Sequence, residues 1–173
     1  MGREPTESQA PARLTKPAAL RASHYLEAFD SGRPQLDEWL KKRALAANDA
    51  GTARTFVVCR NLSNAVGYVS LCAGSIRHEG APGSLRRNAP DPIPVIILAR
   101  FAVSREVQGR GLGKALLADA MKRAVKASAI IGARALVVHA LDETAARFYE
   151  RHGFSKLTGE TYFIAMKTIV SGL

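Results

Sequence analysis

The sequence predicts an α/β fold in which one central mixed sheet is packed between helices. Two apolar runs rich in β-branched residues, 94–103 and 135–140, have the near-continuous hydrophobicity of strands buried on both faces. Each precedes a run with helical spacing: Leu112, Leu116, Leu117, Ala120, Met121 and Ala124 through about Lys126, and later Phe148 and Tyr149. Ahead of both, 55–60 and 66–73 flank a polar turn as strand-like runs, the pattern of a hairpin.

Taken in chain order, residues 1–20 are rich in Pro, Ala, Ser and Thr and lack apolar periodicity, so they read as a loose tail before one domain over 21–173. Phe29-Asp30-Ser31-Gly32-Arg33-Pro34 reads as a turn, and Leu36, Trp39, Leu40, Ala44 and Ala47 then recur at helical spacing. Folding the hairpin about Asn61 to Asn64 sets Cys59 near Val66 and away from Cys72, so both thiols are expected free and buried, as in a reducing compartment. Residues 74–92 form a loop of the length that is usually functional or disordered. Asp142 is suited to cap the helix of Phe148 and Tyr149, Gly153 to stop it, and 161–168 to supply a last strand.

Composition narrows the function. No apolar stretch approaches the roughly 20 residues of a membrane span, so no membrane association and a cytoplasmic location are expected. No Cys/His cluster has metal-ligand spacing, so no metal is expected. A formal charge of +10, from 25 Lys and Arg against 15 Asp and Glu, suits a large polyanion such as RNA or DNA better than a small anion.

The densest signal is Gln108-Gly109-Arg110-Gly111-Leu112-Gly113-Lys114, between the 94–103 run and the helix that follows. Glycines let the backbone approach a ligand and aim N–H groups at one point, while a helix N-terminus adds roughly +0.5 charge. An anion is the natural guest. The dinucleotide fingerprint starting at Gly109 fails because Lys114 stands where its last glycine belongs. A P-loop ending at Gly113-Lys114 fails at Gln108 and Ala115.

The pattern that survives, Gln/Arg-x-x-Gly-x-Gly/Ala, is met by Gln108, Gly111 and Gly113, and it resembles the coenzyme A loop of the GNAT superfamily of N-acetyltransferases. The segment Ala145-Ala146-Arg147-Phe148-Tyr149-Glu150-Arg151-His152-Gly153-Phe154 resembles the late helix of the same enzymes, which often ends Phe-Tyr-x-x-x-Gly-Phe. The resemblance implies a mostly antiparallel sheet with a splayed strand pair and helices on both faces. It implies acetyl-CoA as co-substrate, with no metal. Gln108, Gly109, Arg110, Gly111, Leu112, Gly113 and Lys114 would cradle its pyrophosphate, and Phe101, Ala102 and Val103 would pair with the pantetheine arm and polarise the thioester carbonyl. Tyr149 would protonate the departing thiolate. No carboxylate stands out as a base, and His139 in its apolar run reads more readily as structural.

A narrower likeness runs over roughly residues 20–168. Phe29-Asp30-Ser31-Gly32, Leu36-Asp37-Glu38-Trp39-Leu40, Thr52 to Val58, Leu85 to Pro94 and Val138-His139-Ala140-Leu141 together resemble GNAT toxins of bacterial type II toxin-antitoxin modules. Those toxins acetylate the α-amino group of the amino acid on charged tRNA, which blocks translation and arrests growth. An α-amine, with an unperturbed pKa of about 8, needs less help losing its proton than a lysine at ~10.4. Arg77, Arg86 and Arg87 in the long loop and Lys41, Lys42 and Arg43 on the first long helix are the expected tRNA phosphate contacts. The resemblance further implies a homodimer, a ribbon-helix-helix antitoxin, and promoter DNA bound only by toxin and antitoxin together. The alternative is a housekeeping GNAT enzyme acting on a small amine, an antibiotic or a protein N-terminus.

Overall fold

Strands β1 (Ala18–Ala19), β2 (Arg54–Arg60), β3 (Asn64–Ile76), β4 (Ile93–Val103), β5 (Ala135–His139), β6 (Ser155–Thr158) and β7 (Thr161–Ala165) make one seven-stranded sheet. The computed structural model in which they are seen describes residues 13–173. The strand order is β1-β2-β3-β4-β5-β7-β6, with β4 and β5 parallel and every other pair antiparallel. Helices α1 (Pro34–Lys42), α2 (Ala44–Ala50), α3 (Gly83–Arg86), α4 (Leu112–Ile131), α5 (Glu143–Arg151) and α6 (Met166–Ser171) complete the fold.

Alternation along the strands separates two faces. In β2, Val57 joins Leu36, Leu40 and Phe29 under α1, whereas Val58 joins Leu116, Leu117 and Tyr149 under α4 and α5. α1 begins with Pro34, whose fixed φ suits a first turn and whose missing N–H is not needed there, and it carries Lys41 and Lys42 at its negative end. The single helix expected around residues 36–47 is broken at Arg43 (φ −123°), and this bend keeps Ala44 in the same core cluster as Leu36 and Leu40. α2 stops at Gly51, where φ is +73°.

Several sequence expectations are corrected. The tail expected over residues 1–20 lies partly on the sheet: Ala18 and Ala19 pair with Val57 and Phe56, and Leu20 is buried and donates its N–H to the Thr55 carbonyl at 2.9 Å. Edge pairing uses backbone groups and needs no apolar period. The rest of that expectation, over residues 1–12, lies outside the described residues. The 74–92 loop is shorter than expected, because β3 runs to Ile76, and its middle is structural: Ala81 and Leu85 from the α3 region pack against Ile93, Val95, Ala135 and Val137 on the α1 face of the sheet. The last strand ends at Ala165, and α6 takes over with Met166 and Ile169 buried one helical turn apart. β6 went unread because it is an exposed edge strand with little apolar content. Cys59 is buried opposite Ala65, while Cys72 opposite Ile97 is only partly covered; both are free.

What positions the site is the short pairing of β4 with β5. Their ladder covers only Ile96–Leu136, Ile97–Val137 and Leu98–Val138, after which the strands part. A bulge at Ala99 marks the same point, since Leu98 pairs with Leu71 and Arg100 with Ser70, leaving Ala99 unpaired in the β3 ladder. Beyond it, 100–103 hold β3 on one side and have no strand on the other.

Candidate active site

Beyond β4, a short 3₁₀ turn (Arg105–Val107) leads into the glycine loop, and both Gly109 (φ +75°) and Gly111 (φ +83°) take left-handed conformations that side chains resist. α4 is 20 residues long and starts from Gly111 without a side-chain cap. None of the amide N–H groups from Gly109 to Lys114 donates to another described residue, so a row of donors and the positive end of a long helix dipole converge on one place. Arg110 and Lys114 are exposed beside it, and Leu112 turns its side chain inward onto the core. A Cβ on Gly113 would sit at ordinary contact distance, 3.8 Å, from Phe148, which accounts for a motif that accepts glycine or alanine there.

Gln108 has a different place from its neighbours. Its side-chain Nε2 donates to the carbonyls of Val103 at 2.8 Å and Ser31 at 3.1 Å, and its N–H goes to Arg105. The side chain expected to touch phosphate instead ties the loop to the end of β4 and to the segment before α1.

The parting of β4 and β5 opens a cavity of about 650 Å³. Its walls include Phe101, Ala102 and Val103 from β4, with Gln108 and Gly109 at one end and Phe148 and Tyr149 from α5 on one side. α5 is held in place by Asp142, whose Oδ1 accepts the Ala145 N–H at 2.8 Å, and by a tight turn through Gly153 at φ +94°. Tyr149 is 5% exposed and meets Phe101, Phe148 and Phe154 edge-on, with ring centroids 6.3, 5.4 and 5.4 Å away. Burial pushes its phenol well above the ordinary value, and the nearby Arg33 guanidinium offsets only part of this. The hydroxyl donates to no described residue and borders the cavity. A neutral phenol with a free proton is what this arrangement offers.

The lining of the cavity is basic. Arg33, Arg100, Arg151 and His139 line it, and none of the lining residues is Asp or Glu. Arg33 makes an ion pair with Asp142. Arg100 lies over the Trp39 ring at 5.1 Å, and Trp39 in turn stacks on Tyr68. His139 is exposed at the end of β5, its Nδ1 3.4 Å from Thr161 Oγ1, and it lines the cavity from the strand's open end. Among the described residues there is no group of His, Cys, Asp and Glu fit to hold a metal ion, and no helix is long and apolar enough to cross a membrane.

The expected phosphate contacts fall into two places. Lys41, Lys42 and Arg43 end α1, whose Leu36 and Trp39 face the cavity. Lys42 is paired with Glu38. Arg77, Arg86 and Arg87 are exposed beyond the start of β4, on the order of 25 Å from Phe101 at roughly 3.3 Å per strand residue. Arg33, Arg100 and Arg151 were not singled out from the sequence. An arginine after a turn, in a strand or at a helix end carries no local mark of facing a cavity; only the Phe29-Asp30-Ser31-Gly32 likeness adjoins one of them.

A fold with parted parallel strands, a glycine loop at a helix N-terminus and a buried tyrosine between them defines an acyl-CoA-dependent transferase. The model of the acetyltransferase (GNAT) domain matches residues 52–156, and the chain belongs to the GNAT acetyltransferase family. It is 52% identical over 126 residues, 73% of this chain and 75% of the relative, to a tRNA-acetylating toxin of Mycobacterium tuberculosis (strain ATCC 25618 / H37Rv). Among solved structures, AtaT complexed with acetyl-methionyl-tRNAfMet superimposes with a TM-score of 0.85 at 30% identity, over 92% of this chain and 98% of that one. A tyrosine-to-phenylalanine mutant of the toxin AtaT bound to the C-terminus of the antitoxin AtaR gives 0.78 at 30%, covering 91% and 95%.

Proposed function

We propose that this protein is the toxin of a type II toxin-antitoxin module, transferring acetyl from acetyl-CoA to the α-amino group of the amino acid on charged tRNA and so arresting translation. The observation that carries the reading is the cavity itself: a protonated tyrosine on one side, arginines on its wall and no carboxylate among its lining residues. Identity to a tRNA-acetylating toxin over most of both chains supports it.

Acetyl-CoA supplies an activated thioester. Free amides from Gly109 to Lys114, with Arg110 and Lys114, hold its pyrophosphate, and Gln108 fixes the loop that presents them. Backbone groups of Phe101, Ala102 and Val103, on the side of β4 that β5 has left, align the pantetheine arm and polarise the carbonyl. The neutral α-amine attacks the thioester carbonyl with its lone pair, the C–S bond breaks as the Tyr149 hydroxyl protonates the departing thiolate, and the proton the nitrogen sheds passes through solvent to restore the phenol. With no carboxylate on the wall, the amine's own low pKa does the work a base would do.

Lys41, Lys42 and Arg43 at the end of α1 and Arg77, Arg86 and Arg87 at the far end of β4 together suit an extended polyanion. The reading includes a homodimer working in the cytoplasm, neutralised by a ribbon-helix-helix antitoxin, with promoter DNA bound by the two proteins together. AtaT in complex with the C-terminus of AtaR supports the antitoxin.

The test is incubation with labelled acetyl-CoA and a pool of charged tRNA, with uncharged tRNA and Tyr149→Phe as controls. Label on the amino acid of charged tRNA alone, lost with Tyr149→Phe, is the expected result. No label on tRNA, with turnover on small amines, would return the protein to a housekeeping role.

A further inference from the structure

The Arg33–Asp142 ion pair joins the two walls of the opened sheet. Arg33 immediately precedes α1, which packs against β4, and Asp142 lies just beyond the end of β5. Both side chains are about two-fifths exposed, at 40% and 41%, so the pair sits at the rim, where such contacts are readily exchanged. Neither end depends on the other for its place. Asp142 Oδ1 caps α5 through the Ala145 N–H at 2.8 Å, leaving Oδ2 for Arg33. The Arg33 backbone is fixed by its N–H to Ser31 Oγ at 3.2 Å and by its carbonyl, which accepts from the Leu36 and Asp37 amides at 3.1 Å. The guanidinium can therefore swing to another anion without unmaking either helix.

We propose that Arg33 is a phosphate-binding residue for the RNA acceptor, and that the Asp142 carboxylate occupies its guanidinium until a backbone phosphate near the charged 3′ end displaces it. The inference rests on the tRNA reading above. A carboxylate and a phosphodiester each present two oxygens to the same planar fork, so the exchange keeps the geometry of the pair. Arg100 from β4 and Arg151 from α5 also line the cavity, and with no carboxylate among the lining residues they bias that exchange towards an incoming polyanion. The cofactor's phosphates already have the glycine-loop amides, Arg110 and Lys114.

The experiment is steady-state acetylation of charged tRNA across a salt series by the full chain, with acetyl-CoA affinity measured separately by calorimetry. Arg33→Gln should raise KM for charged tRNA about tenfold, as for a lost hydrogen bond to a charged group. It should make the salt dependence shallower by roughly 0.7, the value for one phosphate contact on a single strand, and leave acetyl-CoA affinity unchanged. Arg33→Lys should recover part of the loss. Asp142→Asn keeps the helix cap but releases the guanidinium, so it should lower KM. Opposite signs for Arg33→Gln and Asp142→Asn support the exchange; the same sign for both, or no change in either, would overturn it and make the pair a structural brace. Weakened acetyl-CoA binding in Arg33→Gln would overturn it in favour of a cofactor contact. A loss confined to binding of a polyglutamate peptide would overturn it in favour of an acidic protein partner. Wild-type protein that leaves charged tRNA unlabelled would instead sink the functional reading and this inference together.

Discussion

Tyr149 is a core side chain and the proposed proton donor at once, and burial reconciles the two. Removing a phenol from water disfavours its anion, so a raised pKa keeps the proton in place until a thiolate forms beside it. Tyr149→Phe removes only an oxygen from a ring packed edge-on against three others. Turnover should fall by roughly 10²- to 10⁴-fold while calorimetry finds acetyl-CoA affinity unchanged. The pH profile follows from the same group. Because its pKa lies above the ordinary value near 10, Tyr149 stays protonated and contributes no falling limb below about pH 10. The acceptor amine sets the acid side: kcat/KM should rise about tenfold per pH unit up to about pH 8 and then level off. An alkaline fall below pH 9 would remove Tyr149 from the acid role.

At the scale of elements, the glycine loop and α3 make contrasting demands. A Cβ on Gly111 meets nothing within 4 Å, so the obstacle to a side chain there is its φ of +83°. Gly111→Val should cost about 1–2 kcal/mol for a left-handed residue and weaken acetyl-CoA binding in calorimetry. Gly113→Ala, in a helical turn with ordinary contacts around its Cβ, should bind the cofactor nearly as well. α3 carries Arg86 on its exposed side and is anchored from its buried side. Its Leu85 is fully buried against β4 and β5, and Leu85→Ala should lower stability by about 2–5 kcal/mol in denaturant unfolding. Nothing local in the sequence marks this anchor, because periodicity cannot see one leucine reaching across to a distant strand.

Across the whole molecule, positive side chains proposed to meet the acceptor stand at three places: the cavity wall, the end of α1 and the loop at the far end of β4. A small amine would meet only the first of these. Replacing Arg86 and Arg87 with Gln should therefore raise KM for charged tRNA and flatten its salt dependence, while kinetics with a small aminoacyl ester stay as they are. Replacing Lys41 and Arg43, at the end of the helix whose Leu36 and Trp39 line the cavity, should have the larger effect on charged tRNA. Equal KM values in all variants would move the RNA surface elsewhere.

What the sequence determined by itself was whatever local chemistry dictates. Glycines where φ must be positive, an aspartate before a helix, apolar runs of strand or helix period, and a phenylalanine-tyrosine pair before a glycine each carry a backbone or packing reason within a few residues. Those features named the strand, loop and helix proposed to hold acetyl-CoA, the tyrosine beside them and the family to which the chain belongs. Tertiary structure alone decided which side chains share the cavity. That Gln108 braces the loop, that Arg33 reaches Asp142 across more than a hundred residues, and that β4 leaves β5 after Leu98 depend on contacts between segments far apart in the chain. Such contacts arise from the packing of whole elements, and no residue's neighbours in sequence record them.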